Sequence, residues 1–433
     1  MNAISTPVLE VPPAGGPVRA AVSLPGSKSY TNRALPIAAL ARGTSRLLGA
    51  LDSDDTRYMV DALRSLGIGI SADWQAGELC VTGCDGALPA TSADLFLGNS
   101  GTSMRFLAAL VALGHGTYRL DGTERMRERP LGPLIDGLIS LGVGIRAERQ
   151  PGCPPIVVTT DGLPGGRITM PGDVSSQYFS ALAMVLPYAT GEIVVEVAGD
   201  LVSKPYIDMT ADTMRAFGVT LHYVGYQTLS VEPGQRYVGR EYAIEPDASA
   251  ASYFFALAAV TGGEVTVERL PPTTRQGDIH FVDVLETMGC VVERRPDAIT
   301  VRGPRQLHGA DIDMNAISDT VQTLAAIAPF ADSPVNIRNV RHIRFKETDR
   351  IAAVATELRR MAVPVDERDD GLTIYPAQPQ PADICTYDDH RMAMSFALTG
   401  SKAPGIRIVD PGCVSKTVPG YWDLLLPLLE GTR

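Results

Sequence analysis

The sequence lacks most of the features that mark secreted, membrane or metal-binding proteins. Its six cysteines show no paired metal-ligand spacing, and the single C-x3-C, at Cys80 and Cys84, has no histidine near it. We therefore expect reduced thiols and no metal, with the lone His390 as a structural residue. No run approaches the roughly 18 uncharged apolar residues of a membrane span, and the start MNAISTPVLEVPP does not resemble a signal peptide. We expect a cytoplasmic protein.

Positive charge is also scarce. The chain of 433 residues has 38 Lys and Arg against 49 Asp and Glu, a net charge of −11 at pH 7. This balance argues against nucleic acid and acidic membranes as partners. An anionic small molecule would need a local basic pocket, so cations inside short polar motifs are the most informative residues. The length allows two well-buried cores, and two domains are the expectation.

What the sequence does contain is an internal repeat. A phrase with helical spacing, usually ending in glycine, begins at residues 63, 138, 214, 285 and 358, and a β-rich run and a second short strand follow each copy. Polar turns open apolar helices in phase with this series, near Ser29, Gly101, Ser175, Ser249, Asp319 and Asp389. The pattern predicts six units, each with two helices and a strand hairpin.

Grouping the units three and three predicts two domains. The last unit has no hairpin after its second helix, so the N-terminal runs PVLEVPP and PVRAAVSLPG are expected to supply its strands. We therefore expect a discontinuous domain of residues 1–24 plus 246–433 and an inserted domain of residues 25–245. If the units are pseudo-symmetric, six helix N-termini can face a cleft between the domains and jointly favour a polyanion.

The stretch LPGSKSYTNRALPIAALARG, which begins at Leu24, is a first candidate for anion binding. It places Lys28, Ser29 and Arg33 where a strand ending in Pro-Gly turns into an apolar helix. A helix start offers unpaired backbone N–H groups and about +0.5 of a charge, which stabilises an anion. A solvated helix cap is the alternative interpretation.

Three other motifs in the first half carry anion-binding groups. In LGNSGTSMR the glycines let the backbone at Gly101 approach a ligand closely. RMRERP sets arginines, among them Arg129, before a helix, where they could clamp a carboxylate or phosphate or could form a solvated face. Neutral donors, whose alternative role is helix capping, are Ser175, Ser176 and Gln177 at one helix start and Ser203 and Tyr206 in an X-Pro segment.

The second half adds carboxylates and further cations. NAISDTVQTLAAIA places Asp319 at a helix start, where it could cap the helix or act as a base toward a bound hydroxyl. In RFKETDR, Lys346 and Arg350 are four residues apart and are expected to share a helical face, with Glu347 next to it. YDDHRMAM brings Arg391 ahead of another apolar helix, and SKTVPGYW supplies Lys416.

Taken in order, these motifs resemble the 5-enolpyruvylshikimate-3-phosphate synthase family over nearly the whole chain. They are LPGSKSYTNRA, GNSGTSMR, RMRERP, SSQ, GDLVSKPYID, KETDR, DDHRMAM and SKTVPGYW. The resemblance implies an α/β fold of two similar domains, each of three βαβαββ units with helices inside and sheets outside (an inside-out α/β barrel), and an active site in the interdomain cleft. It matches the three-plus-three repeat.

The resemblance also implies a reaction. The family transfers the enolpyruvyl group of phosphoenolpyruvate to the 5-hydroxyl of shikimate 3-phosphate, by addition and elimination through a tetrahedral intermediate, in aromatic amino-acid synthesis; it needs no cofactor and is the target of glyphosate. Matched motif by motif, Asp319 would be the base, Glu347 the proton carrier at the vinyl carbon, and Lys28 the aid to the leaving phosphate.

Binding roles follow from the same match. Shikimate 3-phosphate would contact Ser29, Arg33, Ser175, Ser176, Gln177, Ser203, Tyr206, Asp319, His342 and Lys346. Phosphoenolpyruvate would contact Lys28, Gly101, Arg129, Gln177, Arg350, Arg391 and Lys416. A small-molecule enzyme of this kind is expected to be a monomer.

The chain departs from the family pattern in four places. His342 stands where an asparagine is usual, Phe106 where a proline is common, and Ser100 where an alanine is common. Pro36 lies inside the first helix pattern, where its ring would clash with the carbonyl of Asn32 unless the helix begins late or bends. None of these departures removes a catalytic side chain.

Two other functions compete with this interpretation. The enolpyruvyl transferase that acts on UDP-N-acetylglucosamine shares the fold, but it typically carries a reactive cysteine on the loop that corresponds to RMRERP, and no cysteine lies between Cys84 and Cys153. A non-catalytic binding protein of the same fold would have no reason to keep Lys28, Asp319 and Glu347 together.

Overall fold

The structure is a computed structural model that describes residues 6–431. Its α-helices are α1 (Lys28–Leu40), α2 (Asp54–Ser65), α3 (Gly101–Leu110), α4 (Gly132–Ser140), α5 (Ser176–Val185), α6 (Pro205–Ala216), α7 (Ala248–Thr261), α8 (Phe281–Thr287), α9 (Val321–Ile327), α10 (Arg350–Arg360), α11 (His390–Gly400) and α12 (Tyr421–Glu430). Short 3-10 helices cover Val111–Leu113, Met126–Glu128, Leu186–Tyr188, Gly277–His280, Asn315–Thr320, Ala328–Phe330, Arg341–Phe345 and Pro411–Lys416. Residues 1–5 and 432–433, the ends of the expected discontinuous domain, lie outside the described range.

The strands are short. They are β1 (Val8–Glu10), β2 (Arg19–Val22), β3 (Thr44–Leu48), β4 (Gly69–Asp73), β5 (Glu78–Thr82), β6 (Ser92–Phe96), β7 (His115–Asp121), β8 (Gly144–Ala147), β9 (Ile156–Asp161), β10 (Gly166–Pro171), β11 (Ile193–Ala198), β12 (Leu221–Val224), β13 (Thr228–Val231), β14 (Glu241–Ala243), β15 (Glu264–Glu268), β16 (Val291–Arg295), β17 (Ala298–Arg302), β18 (Asp311–Asp313), β19 (Val335–Arg338), β20 (Val365–Arg368), β21 (Gly371–Ile374), β22 (Ala382–Cys385) and β23 (Ile406–Val409).

The repeat predicted from the sequence is confirmed. Each of the five repeated phrases spans the end of a helix and the first strand of an antiparallel hairpin, namely β4–β5, β8–β9, β12–β13, β16–β17 and β20–β21. The predicted polar turns open α1, α3, α5, α7 and α11, while at Asp319 a 3-10 helix leads into α9. The unit β6–α3–β7–α4–β8–β9, with β6 parallel to β7 and β9 antiparallel to both of its neighbours, shows the βαβαββ order in full.

The contacts along the chain define two compact units. One, the inserted unit, is Gly26–Glu245; the other, the discontinuous unit, contains the chain up to Pro25 and from Pro246 onward. The inserted unit has three sheets with strand orders β14-β3-β5-β4, β6-β7-β9-β8 and β10-β11-β13-β12. The discontinuous unit has sheets β16-β17-β15-β2, β18-β19-β21-β20 and β1-β23-β22.

The helix that opens each repeat lies inside its unit. In α7, every residue except Ser249 is buried, and the helix carries no charged residue, which is the composition of a helix surrounded by protein. The helix α1 is likewise buried from Tyr30 to its end. The second helices, such as α2 and α10, bury one face only. The hydrophobic core of each unit contains only residues of that unit.

The expected origin of the sixth sheet is half wrong. PVLEVPP does supply it, since β1 pairs antiparallel with β23. PVRAAVSLPG does not, because β2 pairs parallel with β15 in the sheet of the fourth unit. The strand β14, the last strand of the inserted unit, behaves in the same way, since it pairs parallel with β3 in the sheet of the first unit. The strand β2, which precedes the inserted unit in sequence, therefore completes a sheet whose other strands follow that unit. The strand β14, which ends the inserted unit, completes a sheet whose other strands lie at its beginning.

The helix α1 continues through Pro36. It begins at Lys28, so a late start does not remove the predicted conflict. A proline cannot donate to the carbonyl four residues earlier, and an interior proline costs a helix about 3 kcal/mol. The side-chain amide of Asn32, whose carbonyl loses that donor, is fully buried with no hydrogen-bond partner among the described residues. The cost must be offset by the burial of the helix in its core.

Candidate active site

Lys28 is the first residue of α1, at the helix end that favours an anion. The capping side chain of Ser27 accepts a hydrogen bond from the backbone N of Tyr30 at 3.4 Å. The ammonium of Lys28 lies 3.8 Å from the buried carboxylate of Asp55, and its side chain is 12% exposed. A cation, a helix N-terminus and a partly open position are thus combined here, as the sequence predicts.

Arg33 is buried one turn further along α1. Its guanidinium donates to Thr210 Oγ1 at 2.8 Å, the Ser29 carbonyl at 3.0 Å, the Tyr206 carbonyl at 3.1 Å and Ser180 Oγ at 3.3 Å. It also lies between the rings of Phe106 and Tyr206, at 5.4 and 5.5 Å from their centroids. Burial lowers the pKa of Arg33 to about 10. Arg33 therefore joins α1 to the start of α6, and its contact with shikimate 3-phosphate stays a prediction.

The neutral donors of the inserted unit lie at two further helix starts. Ser175 caps α5 by accepting from the backbone N of Gln177, and the Gln177 side chain donates to Thr102 Oγ1 of α3 at 3.2 Å. Ser176 is buried in the first turn of α5. Ser203 precedes α6 with a φ of +53°, a left-handed conformation that is costly for a residue with a side chain. Tyr206 is half-buried in the first turn of α6.

Two buried arginines lie close to Gly101. Arg129 donates to the Asn99 carbonyl at 3.0 Å, and Arg105 donates to the Gly101 carbonyl at 2.8 Å. A Cβ on Gly101 would lie 2.4 Å from Arg129 Nη2 and 2.6 Å from Arg105 Nη1. Arg129 is buried, whereas Arg125 and Arg127 form ion pairs with nearby carboxylates. Of the arginines in RMRERP, only Arg129 belongs with the glycine turn.

In the discontinuous unit, Asp319 lies at the centre of three cations. Lys346 Nζ donates to its Oδ1 at 2.5 Å, Arg350 Nη1 to the same oxygen at 3.1 Å, and Arg391 Nη2 to Oδ2 at 2.7 Å. Lys346 and Arg350 come from the segment RFKETDR, and Arg391 comes from the first turn of α11. The structure thus brings to Asp319 three cations that lie 27 to 72 positions after it in the sequence.

Arg350 joins Asp319 to two further carboxylates. Its guanidinium donates to Asp389 at 2.7 and 3.2 Å and to Glu347 Oε2 at 2.7 Å, and the side chain is 1% exposed. Burial alone would lower the pKa of Arg350, but the charges of Asp389, Glu347 and Asp319 more than offset this and raise it. Asp389 is fully buried, and it also caps α11 by accepting from the backbone N of Arg391. The sequence did not single out Asp389 as a partner of Arg350.

The expected shared helical face of Lys346 and Arg350 is wrong. Asp349 caps α10, so the helix begins at Arg350 and Lys346 lies in the turn before it. Both side chains nevertheless meet at Asp319. Burial lowers the pKa of Lys346, and the charge of Asp319 opposes that shift. Burial, followed by the charge of Lys346, lowers the pKa of His342 to about 3, so this imidazole is neutral.

The other predicted residues of this unit are buried near the same segments. Arg391 Nη1 lies 3.3 Å from the hydroxyl of Tyr253 on α7. Lys416 ends the 3-10 helix Pro411–Lys416 and is 7% exposed. His390, the first residue of α11, has no exposed surface. Within residues 6–431 no three His, Cys, Asp or Glu residues are grouped as a metal site would require.

Asp278 is a carboxylate that the sequence analysis missed. It lies in the 3-10 helix Gly277–His280, is 4% exposed, and accepts a short hydrogen bond from Ser249 at the start of α7. Its Oδ1 has no hydrogen-bond partner among the described residues. Burial, with the charge of Asp319 as the second cause, raises the pKa of Asp278 to about 6. The sequence around Asp278, RQGD, has no feature that predicts burial of this carboxylate near Asp319.

The raised pKa gives a pH-dependent stability. Below the unfolded pKa of 3.8 both states hold the proton, and as pH rises to about 6 only the unfolded state releases it, so stability falls. Asp278→Asn, which keeps an oxygen for Ser249, is expected to stabilise the chain by roughly 2–3 kcal/mol at pH 7.5. At pH 4 the difference should nearly vanish. Urea unfolding at both pH values measures it, and an equal gain at both would show that Asp278 is ionised throughout.

All six cysteines lie in the described range, and all are free thiols. Cys153 bears on the rival function, since its neighbour Gly152 accepts from the backbone N of Leu131, directly after RMRERP, at 2.8 Å. Cys153 is buried, and burial raises the pKa of its thiol. A buried thiol of raised pKa is a poor nucleophile.

Across residues 6–431, no helix has the length and apolar character of a membrane span.

Solved structures share this fold. One of EPSP synthase from Acinetobacter baumannii superposes with a TM-score of 0.80 at 26% identity, over 96% of this chain and 97% of that one. The enolpyruvyl transferase NikO from Streptomyces tendae has a TM-score of 0.76 at 19% identity, over 98% and 97% of the two chains, which shows the fold alone. The chain therefore has the fold that these two solved structures share.

The sequence comparisons specify the family. The model of EPSP synthase (3-phosphoshikimate 1-carboxyvinyltransferase) matches residues 13–425. A 3-phosphoshikimate 1-carboxyvinyltransferase of Nostoc punctiforme is 52% identical over 98% of this chain and 99% of its own, and a chloroplastic one of Brassica napus is 45% identical over 93% and 82%. The chain belongs to the EPSP synthase family.

Proposed function

We propose that this chain transfers the enolpyruvyl group of phosphoenolpyruvate to the 5-hydroxyl of shikimate 3-phosphate and releases phosphate. Membership of the family makes the chain a transferase of the shikimate pathway, in aromatic amino-acid biosynthesis. The observation that carries the assignment to particular residues is the group around Asp319: one carboxylate held by Lys346, Arg350 and Arg391, with Glu347 on the same arginine. Cations and carboxylates are thereby supplied for anion binding and proton transfer.

The proposed first step is an addition. Asp319 accepts the proton of the 5-hydroxyl, whose oxygen bonds to C2 of phosphoenolpyruvate, while Glu347 delivers a proton to C3 and makes it a methyl group. The phosphate and carboxylate of phosphoenolpyruvate compete with Asp319 for Arg350 and Arg391. Substrate binding would therefore draw these cations away from Asp319 and leave its oxygens able to accept a proton.

The proposed second step is an elimination. The C2–O bond to phosphate breaks, the methyl group returns a proton to the Glu347 carboxylate that had protonated it, and the enolpyruvyl ether and phosphate result. Lys28, at the N-terminus of α1, would stabilise the charge that develops on the departing phosphate. Arg129, Gln177 and Lys416 are proposed as further phosphoenolpyruvate contacts, and the predicted shikimate 3-phosphate contacts, Ser29, Arg33, Ser175, Ser176, Gln177, Ser203, Tyr206, Asp319, His342 and Lys346, are retained as proposals.

The remaining organisation is proposed as follows. Domains of residues 1–24 plus 246–433 and 25–245 are supported by the change of unit between Pro25 and Gly26 and between Glu245 and Pro246. We propose a cytoplasmic monomer that needs no cofactor. The charge of −11 supports small anionic substrates, rather than nucleic acid, as partners.

Phosphate release tests the function directly. The purified chain is expected to release phosphate from phosphoenolpyruvate only when shikimate 3-phosphate is present, and to form the enolpyruvyl product in equal amount by mass spectrometry. The matched arm replaces shikimate 3-phosphate with UDP-N-acetylglucosamine and should give no product. Turnover in that arm alone would support the rival transferase, and no turnover in either arm would support a binding protein.

A further inference from the structure

Glu357 is a fully buried carboxylate that no step above uses. It lies on α10, seven residues after Arg350, and two helical turns place both side chains on the same face. Its Oε2 accepts from Arg360 Nε at 2.9 Å and from the backbone N of Cys385 at 3.1 Å; its Oε1 accepts from the hydroxyl of Tyr387 at 2.6 Å and from Arg360 Nη2 at 3.4 Å. Each oxygen of Glu357 therefore accepts two hydrogen bonds.

The segment that Glu357 contacts is the turn before α11. Tyr387 and Asp388 have φ angles of +57° and +53°, so two successive residues with side chains are left-handed. Each such residue is strained and persists only where its surroundings impose it. The hydroxyl of Tyr387 and the amide of Cys385, on the two sides of Thr386, are both bound to Glu357. Glu357 thus holds the turn in its strained conformation.

The turn ends at Asp389, which the candidate site requires. Asp389 accepts two hydrogen bonds from Arg350 and one from the backbone N of Arg391. The helix α10 therefore binds one turn at two points. Arg350 donates hydrogen bonds to Asp389, and Glu357 accepts hydrogen bonds from Tyr387 and Cys385. If the hydrogen bonds to Glu357 are lost, relaxation of the left-handed residues would displace Asp389. Arg350 and Arg391, which bind Asp389, would move with it.

We propose that Glu357 is a positioning residue for the anion-binding arginines Arg350 and Arg391, acting through the left-handed turn Tyr387–Asp388. The inference rests on the proposed function in one respect, namely that these arginines bind phosphoenolpyruvate. It predicts that loss of Glu357 raises the KM for phosphoenolpyruvate and leaves the KM for shikimate 3-phosphate nearly unchanged.

Two variants test the proposal. Glu357→Gln replaces one acceptor oxygen by a donor, and Tyr387→Phe removes a single hydroxyl that lies on a 40% exposed side chain, so the second variant should fold. Displacement of binding groups by about 1 Å can cost up to roughly a hundredfold, and we expect the KM for phosphoenolpyruvate to rise about tenfold or more in Glu357→Gln and less in Tyr387→Phe. Arg359→Gln, an exposed change on the same helix, is the control and should alter neither KM.

Rescue separates positioning from general destabilisation. Glycine adopts a positive φ without strain, so adding Asp388→Gly to Glu357→Gln should restore part of the lost affinity for phosphoenolpyruvate. A general loss of stability would raise both KM values or lower kcat alone, and glycine would not repair it. Unchanged KM values in both single variants, or a double variant no better than Glu357→Gln, would overturn the proposal.

Hydrogen exchange keeps this inference separate from the proposed function. Amide exchange of residues 385–391, measured by mass spectrometry on the full chain without substrates, should be faster in Glu357→Gln and Tyr387→Phe than in the parent and in Arg359→Gln. If the parent fails to turn over but exchange accelerates in this way, the proposed function fails and the turn's dependence on Glu357 stands. If the parent turns over and exchange is unchanged, the proposal about Glu357 fails alone.

Discussion

Asp319→Asn is expected to lower kcat by about 10²–10⁴-fold, because an amide cannot accept the proton of the attacking hydroxyl. The affinity for phosphoenolpyruvate should not fall with it. Asparagine no longer neutralises Lys346, Arg350 and Arg391, so the empty site gains one net positive charge and an anion should bind at least as tightly. Steady-state kinetics with each substrate varied in turn would show a lower kcat with an unchanged or lower KM for phosphoenolpyruvate.

The matched control for that variant is Asp313→Asn. Asp313 ends β18, six residues before Asp319, and its exposed carboxylate binds Asn339 and Arg338 at the surface. It should leave both kinetic parameters close to those of the parent. Uncompensated cations should make Asp319→Asn less stable without ligand, and inorganic phosphate should restore part of the loss in thermal unfolding. A near-normal kcat in Asp319→Asn would remove Asp319 from the role of base.

The parts of the fold that follow local rules could be predicted from the sequence. The helices α1 and α7 are buried over most of their length and begin at a Ser or Asp cap, while four of the five hairpins follow a glycine at a helix end. The helix starts repeat six times and the hairpin signals five times in phase, so errors at single elements do not accumulate. Asp349 is a typical helix N-cap residue and predicts that α10 begins at Arg350. This local feature is a better guide to the helix start than the four-residue spacing of Lys346 and Arg350.

The pairing of the crossing strands could not be predicted in the same way. The strand β2 has alternating exposure whichever sheet it joins, and its partner β15 lies more than 240 residues away in sequence. Pairing over such a distance leaves no local signal in the sequence of either strand. The last unit lacks a hairpin, so the simplest expectation assigns both N-terminal runs to its sheet. That expectation is wrong for β2, which pairs with a strand distant in sequence, as β14 does when it pairs with β3.

The candidate site shows a related limit. Motifs identified its cations because anionic ligands need them in an acidic chain. Motifs did not identify which carboxylates neutralise those cations in the folded protein. Asp389 holds Arg350, Asp278 faces the charge of Asp319, and Glu357 fixes a turn; each depends on contacts between segments that the sequence separates. Buried ion networks are therefore the part of this site that only the structure supplies.

Lys28→Met is expected to lower kcat by about 10²–10³-fold, because it removes a cation aimed at the charge that develops on the leaving phosphate. Methionine keeps the length and the apolar stem of the side chain, and the position is 12% exposed, so α1 should fold as before. The change also removes a cation from the buried carboxylate of Asp55, and breaking a buried ion pair costs about 3 kcal/mol. Single-turnover kinetics would place the defect in the chemical steps rather than in substrate binding.

The control is Lys402→Met, an exposed lysine outside the site, which should behave as the parent. The position of Lys28 at a helix start makes the variant a test of two interpretations of the same motif. If kcat falls by this factor although thermal unfolding shows the variant to be folded at the assay temperature, the helix start of α1 serves an anion. If both stay normal, Ser27 and α1 form a capped core helix, and the charge on the departing phosphate must be stabilised by Arg129, Arg350 or Lys416 instead.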